Sequence, residues 1–141
     1  MAEHNLIGHI GEERAAELLH KKGYKILERN WRLGHLEVDI IAASQKEIIF
    51  VEVKTRTSLL GGNPEEAVDA KKRRLLTTAG NAYISYNHET RQPRFDIIGI
   101  LMNKAGEIEE IQHYENAFSP IEKYRTSGSF LGKWQWAKKR K

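Results

Sequence analysis

Residues 36–56 read LEVDIIAASQKEIIFVEVKTR. Two apolar-rich runs, Leu36 to Ala43 and Glu47 to Thr55, flank Ser44-Gln45-Lys46. That pattern predicts two strands joined as an antiparallel hairpin. Alternate side chains of a strand share a face. In the first run Leu36, Val38, Ile40 and Ala42 fall on one face, and Glu37, Asp39, Ile41 and Ala43 on the other. In the second run Ile49, Val51 and Val53 oppose Ile48, Phe50, Glu52 and Lys54. A tight turn around Gln45-Lys46 sets Asp39 opposite Glu52, Glu37 opposite Lys54 and Ile41 opposite Phe50.

One face of this hairpin is wholly apolar, and the other is apolar near the turn and charged at the far end. Two carboxylates directly across a strand pair repel each other, and more strongly where the dielectric is low. A divalent cation between them resolves the conflict, and carboxylate oxygens suit Mg²⁺ or Mn²⁺. Lys54 shares the face with Glu52. It could hold or help deprotonate a metal-bound water and stabilise charge on a phosphodiester. Glu52-x-Lys54 alone is a short pattern that often arises by chance. A registered Asp39 on a Val-, Ile- and Phe-rich hairpin adds weight, because buried unpaired carboxylates are costly.

Outward from the hairpin, residues 4–22 carry Leu6, Ile7, Ile10, Ala15, Leu18 and Leu19 at helical spacing, and Gly23 is a fitting stop. Tyr24, Ile26 and Leu27, ending near Asn30-Trp31-Arg32, predict a short strand, with Leu33-Gly34-His35 as a turn. Thr57 to Asn63 reads as a loop. Asn63-Pro64-Glu65-Glu66 reads as a helix start, with Asn as cap, Pro in the first turn and Glu66 at the capping-box position. This helix is expected to run to about Tyr86, with Ala67, Val68, Leu75, Ala79, Ala82 and Tyr83 turned inward. Arg94 to Met102 is a strand, Asn103 to Gly106 a turn and Glu107 to Tyr114 a last strand. The order α-β-β-β-α-β-β describes an α/β domain with helices packed on a sheet.

The chain has 141 residues, the size of one domain, and no cysteine, which excludes disulfides, thiolate metal sites and thiol catalysis. Its six histidines are scattered, without the short spacings of a zinc site. No apolar run is long enough to span a membrane, and no secretory pattern opens the chain, so a cytoplasmic protein with no membrane partner is expected. The net charge is +4, yet residues 121–141 hold seven Lys/Arg against one Glu. The basic balance therefore belongs to the tail, while the body is slightly acidic and needs local clustering to meet a polyanion. The division expected is a domain over 1–119 and a basic, aromatic-containing tail over 120–141. That tail could stack on nucleobases, pack on the body or remain flexible.

Lys71-Lys72-Arg73-Arg74 spans the whole circumference of a helix, so at most two of its members can address one ligand. With Arg56 they could grip phosphates or form a solvated face. Glu12 is either a first-helix acid near the site or a surface residue. Glu37 is expected to orient Lys54 or to make a surface pair, and Asp96 to be structural beside an Arg. Neither a P-loop nor a Gly-x-Ser-x-Gly elbow is present.

Several motifs occur in a fixed order: Gly11-Glu12-x-x-Ala15, then Gly23-Tyr24-x-Ile26-Leu27-x-x-Asn30-Trp31-Arg32, then Glu37-x-Asp39-x-Ile41. Phe50-Val51-Glu52-Val53-Lys54-Thr55-Arg56, Pro64-Glu65-Glu66-Ala67-Val68 and Arg94-Phe95-Asp96 complete the series. Over roughly residues 5–118 this set resembles the YraN-like uncharacterised bacterial family. That family belongs to the restriction-endonuclease-like superfamily and is similar to archaeal Holliday-junction resolvases. One departure is Leu36, where a glycine often precedes the Glu-x-Asp motif; here Gly34 stands two residues earlier.

The resemblance implies a three-layer fold with a central mixed sheet flanked by helices, and a PD-(D/E)xK site. Asp39 and Glu52 would bind Mg²⁺ or Mn²⁺, with the carbonyl of Val53 as a further ligand and Glu12 near the metal. Lys54 would be the catalytic lysine, and Lys71 a residue facing the site. Arg56, Lys71, Lys72 and Arg74 are the candidates for nucleic-acid binding. The function implied is hydrolysis of phosphodiester bonds in DNA, branched DNA included. A homodimer would supply two sites for symmetric cuts. The alternatives are a non-catalytic nucleic-acid-binding module that keeps the fold, and a subunit that recruits partners through its tail.

Overall fold

The computed structural model describes residues 2–57 and 69–118. The elements are α1 (Ala2–Lys21), β1 (Lys25–Leu33), β2 (Leu36–Ala43), β3 (Glu47–Arg56), α2 (Ala70–Asn87), β4 (Gln92–Met102) and β5 (Ile108–Phe118). The order agrees with the sequence reading. The expected helix start at Asn63–Glu66, the inward Ala67 and Val68, most of the Thr57–Asn63 loop and the 120–141 tail lie outside the described residues.

The five strands form one sheet in the order β1-β2-β3-β4-β5. Neighbours are antiparallel except β3 and β4, which pair in parallel from Glu47↔Gln92 to Arg56↔Leu101. A parallel pair needs a crossover, and the segment between β3 and β4 contains α2. The sheet is therefore mixed.

Among the described residues, each face of the sheet carries one helix. Ala15 and Leu19 of α1 pack with Ile40, Ala42, Ile49, Val51, Ile98 and Ile100. Leu76, Ala79, Tyr83 and Ile84 of α2 pack with Ile41, Ile48, Phe50, Phe95 and Ile97. Continuous apolar runs at β3 and β4 follow, since both faces of these strands are covered.

Helix α1 ends as predicted. Tyr24 N donates to Leu19 O at 3.0 Å, and Gly23 adopts φ 96°, the left-handed C-terminal stop open to glycine. Leu6 departs from the expected apolar stripe and is exposed, while Ile7 and Ile10 pack against the core. The described part of α2 has its own cap: the Asp69 carboxylate accepts from Lys72 N at 2.9 Å and the backbone at Asp69 is extended. The helix described thus begins at Ala70 rather than running unbroken from Asn63. Its inward face is also shifted. Leu76, Thr77, Ala79, Gly80, Tyr83 and Ile84 are buried, whereas Leu75 is exposed and Ala82 is half-buried.

Strand β5 runs four residues past its predicted end, through a bulge at which Asn116 takes φ 53°. The β2–β3 register is the one expected, with Ile41↔Phe50 and Ala43↔Ile48. Its pairing ends at Ile40↔Val51, one step short of Asp39 and Glu52. Opposite Asp39 on the other side of β2, Asn30 takes φ 53° and drops out of the β1–β2 pairing. A left-handed residue interrupts the two-residue period. Val38 packs with Ile41 rather than with Ile40, which corrects the single apolar face predicted for residues 36–42.

Candidate metal and phosphate site

Where β2 stops pairing with β3, the Asp39 side chain takes over the bonding. Its Oδ2 accepts from Val53 N at 2.8 Å. β3 meanwhile stays paired to β4 through Glu52↔Ile97 and Lys54↔Gly99. The sheet is open on one side of Glu52 and closed on the other.

Asp39 and Glu52 come together in this opening and are close enough to share a proton. Burial pushes the Asp39 carboxyl up to about 8, with Glu52 and then Glu12 acting in the same direction. The Val53 N–H and Lys72 oppose that rise without cancelling it. Burial also raises Glu52, against Lys72, the hydrogen bond with Asp39 and the charge of Lys54. Both carboxyls are partly withdrawn from water and resist ionisation chiefly for that reason, and Asp39 the more because Glu52 stands beside it.

Helix α1 reaches the site through a close approach. A Cβ at Gly11 would stand 2.0 Å from Thr55 Oγ1, so only glycine lets this turn sit on β3. Glu12 follows directly and lies near enough to act on Asp39. It does not join the pair as a third ligand: among the described residues no three His, Asp or Glu side chains gather in an arrangement that could hold a metal. From the opposite face, α2 supplies Lys72, whose Nζ is 3.4 Å from Glu52 Oε2. Glu52 is 13% exposed and Lys72 36%.

The predicted residues therefore divide. Asp39 and Glu52 are brought together with Glu12 near enough to act on Asp39, and Val53 is tied to Asp39 through its N–H. Lys54 lies on the strand beside Glu52 and is exposed. Glu37 is not opposite Lys54; the strands have parted there, and Glu37 pairs instead with Arg32 of β1 at 3.4 Å. Lys72, rather than Lys71, reaches the carboxylates, and Lys71 is exposed. Arg73 lies over the Phe118 ring at 5.6 Å, and Arg74 is half-buried on the same helix. Arg56 continues the Glu52–Lys54 row and carries a buried Nε with no hydrogen-bond partner.

The donor set fits a hard divalent cation. Oxygen ligands suit Mg²⁺ and Mn²⁺, and Mg²⁺ ordinarily takes one or two protein carboxylates and keeps its waters. Cation charge between Asp39 and Glu52 would offset the burial that raises both carboxyls and the repulsion that adds to it at Asp39.

Asp96 shows how the same fold treats an aspartate surrounded by donors. It is fully buried, yet Arg94 donates to it at 2.9 and 2.7 Å and Asn116 N at 2.9 Å. His113 Nε2 lies 2.7 Å from its Oδ2. Lys22 Nζ lies 2.8 Å from His113 Nδ1; an ammonium can only donate, so that nitrogen accepts and Nε2 carries the proton. Arg94 reaches on to Glu47 at 2.7 Å and the Tyr24 hydroxyl at 2.8 Å. Burial works to raise the Asp96 carboxyl, but the bonds from His113, Arg94 and Asn116 outweigh it and hold the group below its ordinary value. The Asp96–Arg94 pair agrees with the structural role expected of Asp96. The remote partners Lys22 and His113 had no signal in the sequence.

Comparison with known proteins places this site in a family. The model of the uncharacterised protein family UPF0102 matches residues 11–100, as the ordered motifs led one to expect. A UPF0102 protein of Flavobacterium johnsoniae is 49% identical over 122 residues, covering 84% of this chain and 98% of the relative. One from Porphyromonas gingivalis is 43% identical over 118 residues, covering 84% and 87%. One from Caldanaerobacter subterraneus is 46% identical over 114 residues, covering 79% and 93%. Among solved structures, Pyrococcus furiosus SfsA in complex with Ca²⁺ is similar at a TM-score of 0.39 and 16% identity. That likeness covers 79% of this chain and 63% of the SfsA chain. No helix among the described residues is long and apolar enough to cross a membrane.

Proposed function

We propose, for a chain that belongs to the uncharacterised protein family UPF0102, a metal-dependent nuclease of restriction-endonuclease-like fold that hydrolyses phosphodiester bonds in DNA. The observation that carries this reading is the contrast between two buried aspartates. Asp96 is surrounded by donors and held below its usual value. Asp39 has one backbone donor and a second carboxyl beside it, and is pushed up to about 8. A fold able to satisfy Asp96 so fully has left Asp39 and Glu52 short of positive charge, and a divalent cation would supply it.

In this reading Asp39 and Glu52 hold Mg²⁺ or Mn²⁺, with the Val53 carbonyl as a further ligand and Glu12 as an acid beyond the pair. The cation, when bound, would polarise the phosphoryl oxygens and make a coordinated water more acidic. Lys54 stands exposed on the strand beside Glu52, where it can orient the attacking water and stabilise charge on the phosphate. Arg56 follows on the same row, where its guanidinium can pair with a phosphate oxygen. Lys71 and Arg74 on α2 extend the basic margin, which fixes the backbone of a nucleic acid without reading its sequence. A cytoplasmic setting and symmetric cutting of branched DNA by a homodimer belong to the same proposal.

A second reading is a nucleic-acid binder that does not cleave. It is favoured by the Lys72–Glu52 pair, which supplies part of the missing positive charge without metal. The decisive experiment presents purified protein and Mn²⁺ with single-stranded, duplex and four-way DNA. Cleavage is expected in the wild type and absent from Glu52→Gln and Lys54→Ala, with circular dichroism unchanged. If every substrate stays intact with the wild type, the nuclease reading fails.

A further inference from the structure

We infer that Lys72 limits this site to a single divalent cation by occupying the flank of Glu52 on which a second would bind. The inference rests on the proposed Asp39–Glu52 metal site and adds its stoichiometry and the residue that sets it.

The oxygens of the two carboxylates are already divided. Asp39 Oδ2 is taken by Val53 N–H at 2.8 Å, and Glu52 Oε2 faces Lys72 Nζ at 3.4 Å. The other oxygen of each carboxylate, Asp39 Oδ1 and Glu52 Oε1, is engaged by neither of these two contacts. Two oxygens, with water completing the shell, are what one Mg²⁺-sized ion needs from a protein. Two-metal sites place their ions roughly 3.5–4 Å apart. The second ion would need Glu52 Oε2 and the third acid, Glu12. Glu12 stands close enough to act on Asp39 but does not form a three-ligand group with the pair.

Lys72 is fixed by more than its ion pair. It lies three residues after the cap of α2, and its backbone N–H is bonded to Asp69 Oδ1 at 2.9 Å. The side chain descends from the same helix face as Leu76, which is fully buried four residues later. An ammonium held in this way repels a divalent ion brought to the same carboxylate oxygen. It also engages Oε2 and leaves the other oxygen of Glu52 for the cation. Lys72 is thus a positioning residue that acts through Glu52.

The test is the binding of Mn²⁺ alone to the full chain, by calorimetry and by the electron paramagnetic resonance of free Mn²⁺. The wild type should bind one ion per chain, and Asp39→Asn should weaken it at least about tenfold. Lys72→Met should admit a second ion, and Lys72→Arg should return the count to one. A structural role alone would change melting temperature without changing the count. Lys72→Gln serves if the Met variant does not fold. Two ions on the wild type, or one ion still on both neutral variants, would overturn the inference while leaving the nuclease reading in place. No Mn²⁺ on the wild type would overturn both.

Discussion

Replacing Asp39 by Asn should stabilise the cation-free protein, and by more at alkaline than at mildly acidic pH. Asn is close to Asp in size, and its carbonyl oxygen can keep the Val53 N–H bond now made at 2.8 Å. The substitution therefore removes a charge and little else. Asp39 titrates near 8 in the folded chain instead of at 3.8. Between those values the native state holds a proton that the unfolded state has released, so stability falls as pH rises. At about 1.4 kcal/mol per pH unit, the wild type should lose about 3 kcal/mol between about pH 5.5 and pH 8. Asp96 has the opposite sign: its depressed value gives a contribution that disappears only as pH falls below about 4, outside this window. Urea unfolding in a chelator, followed by far-ultraviolet circular dichroism, measures the difference. The Asn variant should be the more stable protein at pH 8, with the gap about 3 kcal/mol smaller at pH 5.5. Mn²⁺ should favour the wild type and close it. An Asn variant that is no more stable at pH 8, or a gap independent of pH, would refute the claim that this carboxyl is held against its preference.

Further outcomes follow from the same structure. Asp96→Ala leaves Arg94 and His113 without their buried partner and should lower unfolding free energy by about 3–5 kcal/mol, read in the same urea titration. Gly11→Ala drives a methyl to within 2.0 Å of Thr55 Oγ1 and should be destabilising by about 1–3 kcal/mol. Adding Thr55→Ala should recover part of that loss, as a double-mutant cycle would show. Lys54→Ala, at an exposed position, should leave stability within about 0.5 kcal/mol while abolishing Mn²⁺-dependent DNA cleavage.

The hairpin register was legible because a two-residue period and a short turn leave few alternatives, and Ile41↔Phe50 is where alternation predicts it. The end of that register was not. Opposite Asp39 the neighbouring strand carries Asn30 at φ 53°, and the one local hint of irregularity is that Asn enters the left-handed region more readily than most residues. Of the two roles expected of Glu37 the surface pair is the one found: once β2 has parted from β3, its near neighbour is Arg32 across the Gly34 turn. Lys71 as the residue facing the site was implied by the resemblance, and Lys72 reaches Glu52 instead. Leu75 and Leu76 are adjacent, and helical period alone does not say which points inward; the buried Leu76 lies one turn after Lys72. Ala79, Gly80, Tyr83 and Ile84 would have decided it, since together they continue the stripe of residue 76 at steps of three and four. Gly80 is constrained by the same face, where a Cβ would come within 3.2 Å of Phe50 and Phe95.

The place of the carboxylate pair follows from the failure of one strand pairing. Had β2 stayed bonded to β3 past Val51, Val53 N–H would have been free to join the ladder and Asp39 would have had no backbone donor to reach for. The parting leaves that N–H exposed to the gap, and the Asp39 side chain closes it at 2.8 Å. This draws a carboxylate inward to within reach of Glu52, which β4 holds firmly from the other side. The same gap lets both helices address one point, α1 through the missing side chain of Gly11 and α2 through Lys72. The repulsion at this point is sustained by the Ile-, Val- and Phe-rich core on both faces of β3 and β4. Tolerated strain of this kind, surrounded by a core with ample burial, marks a functional position more often than a structural one.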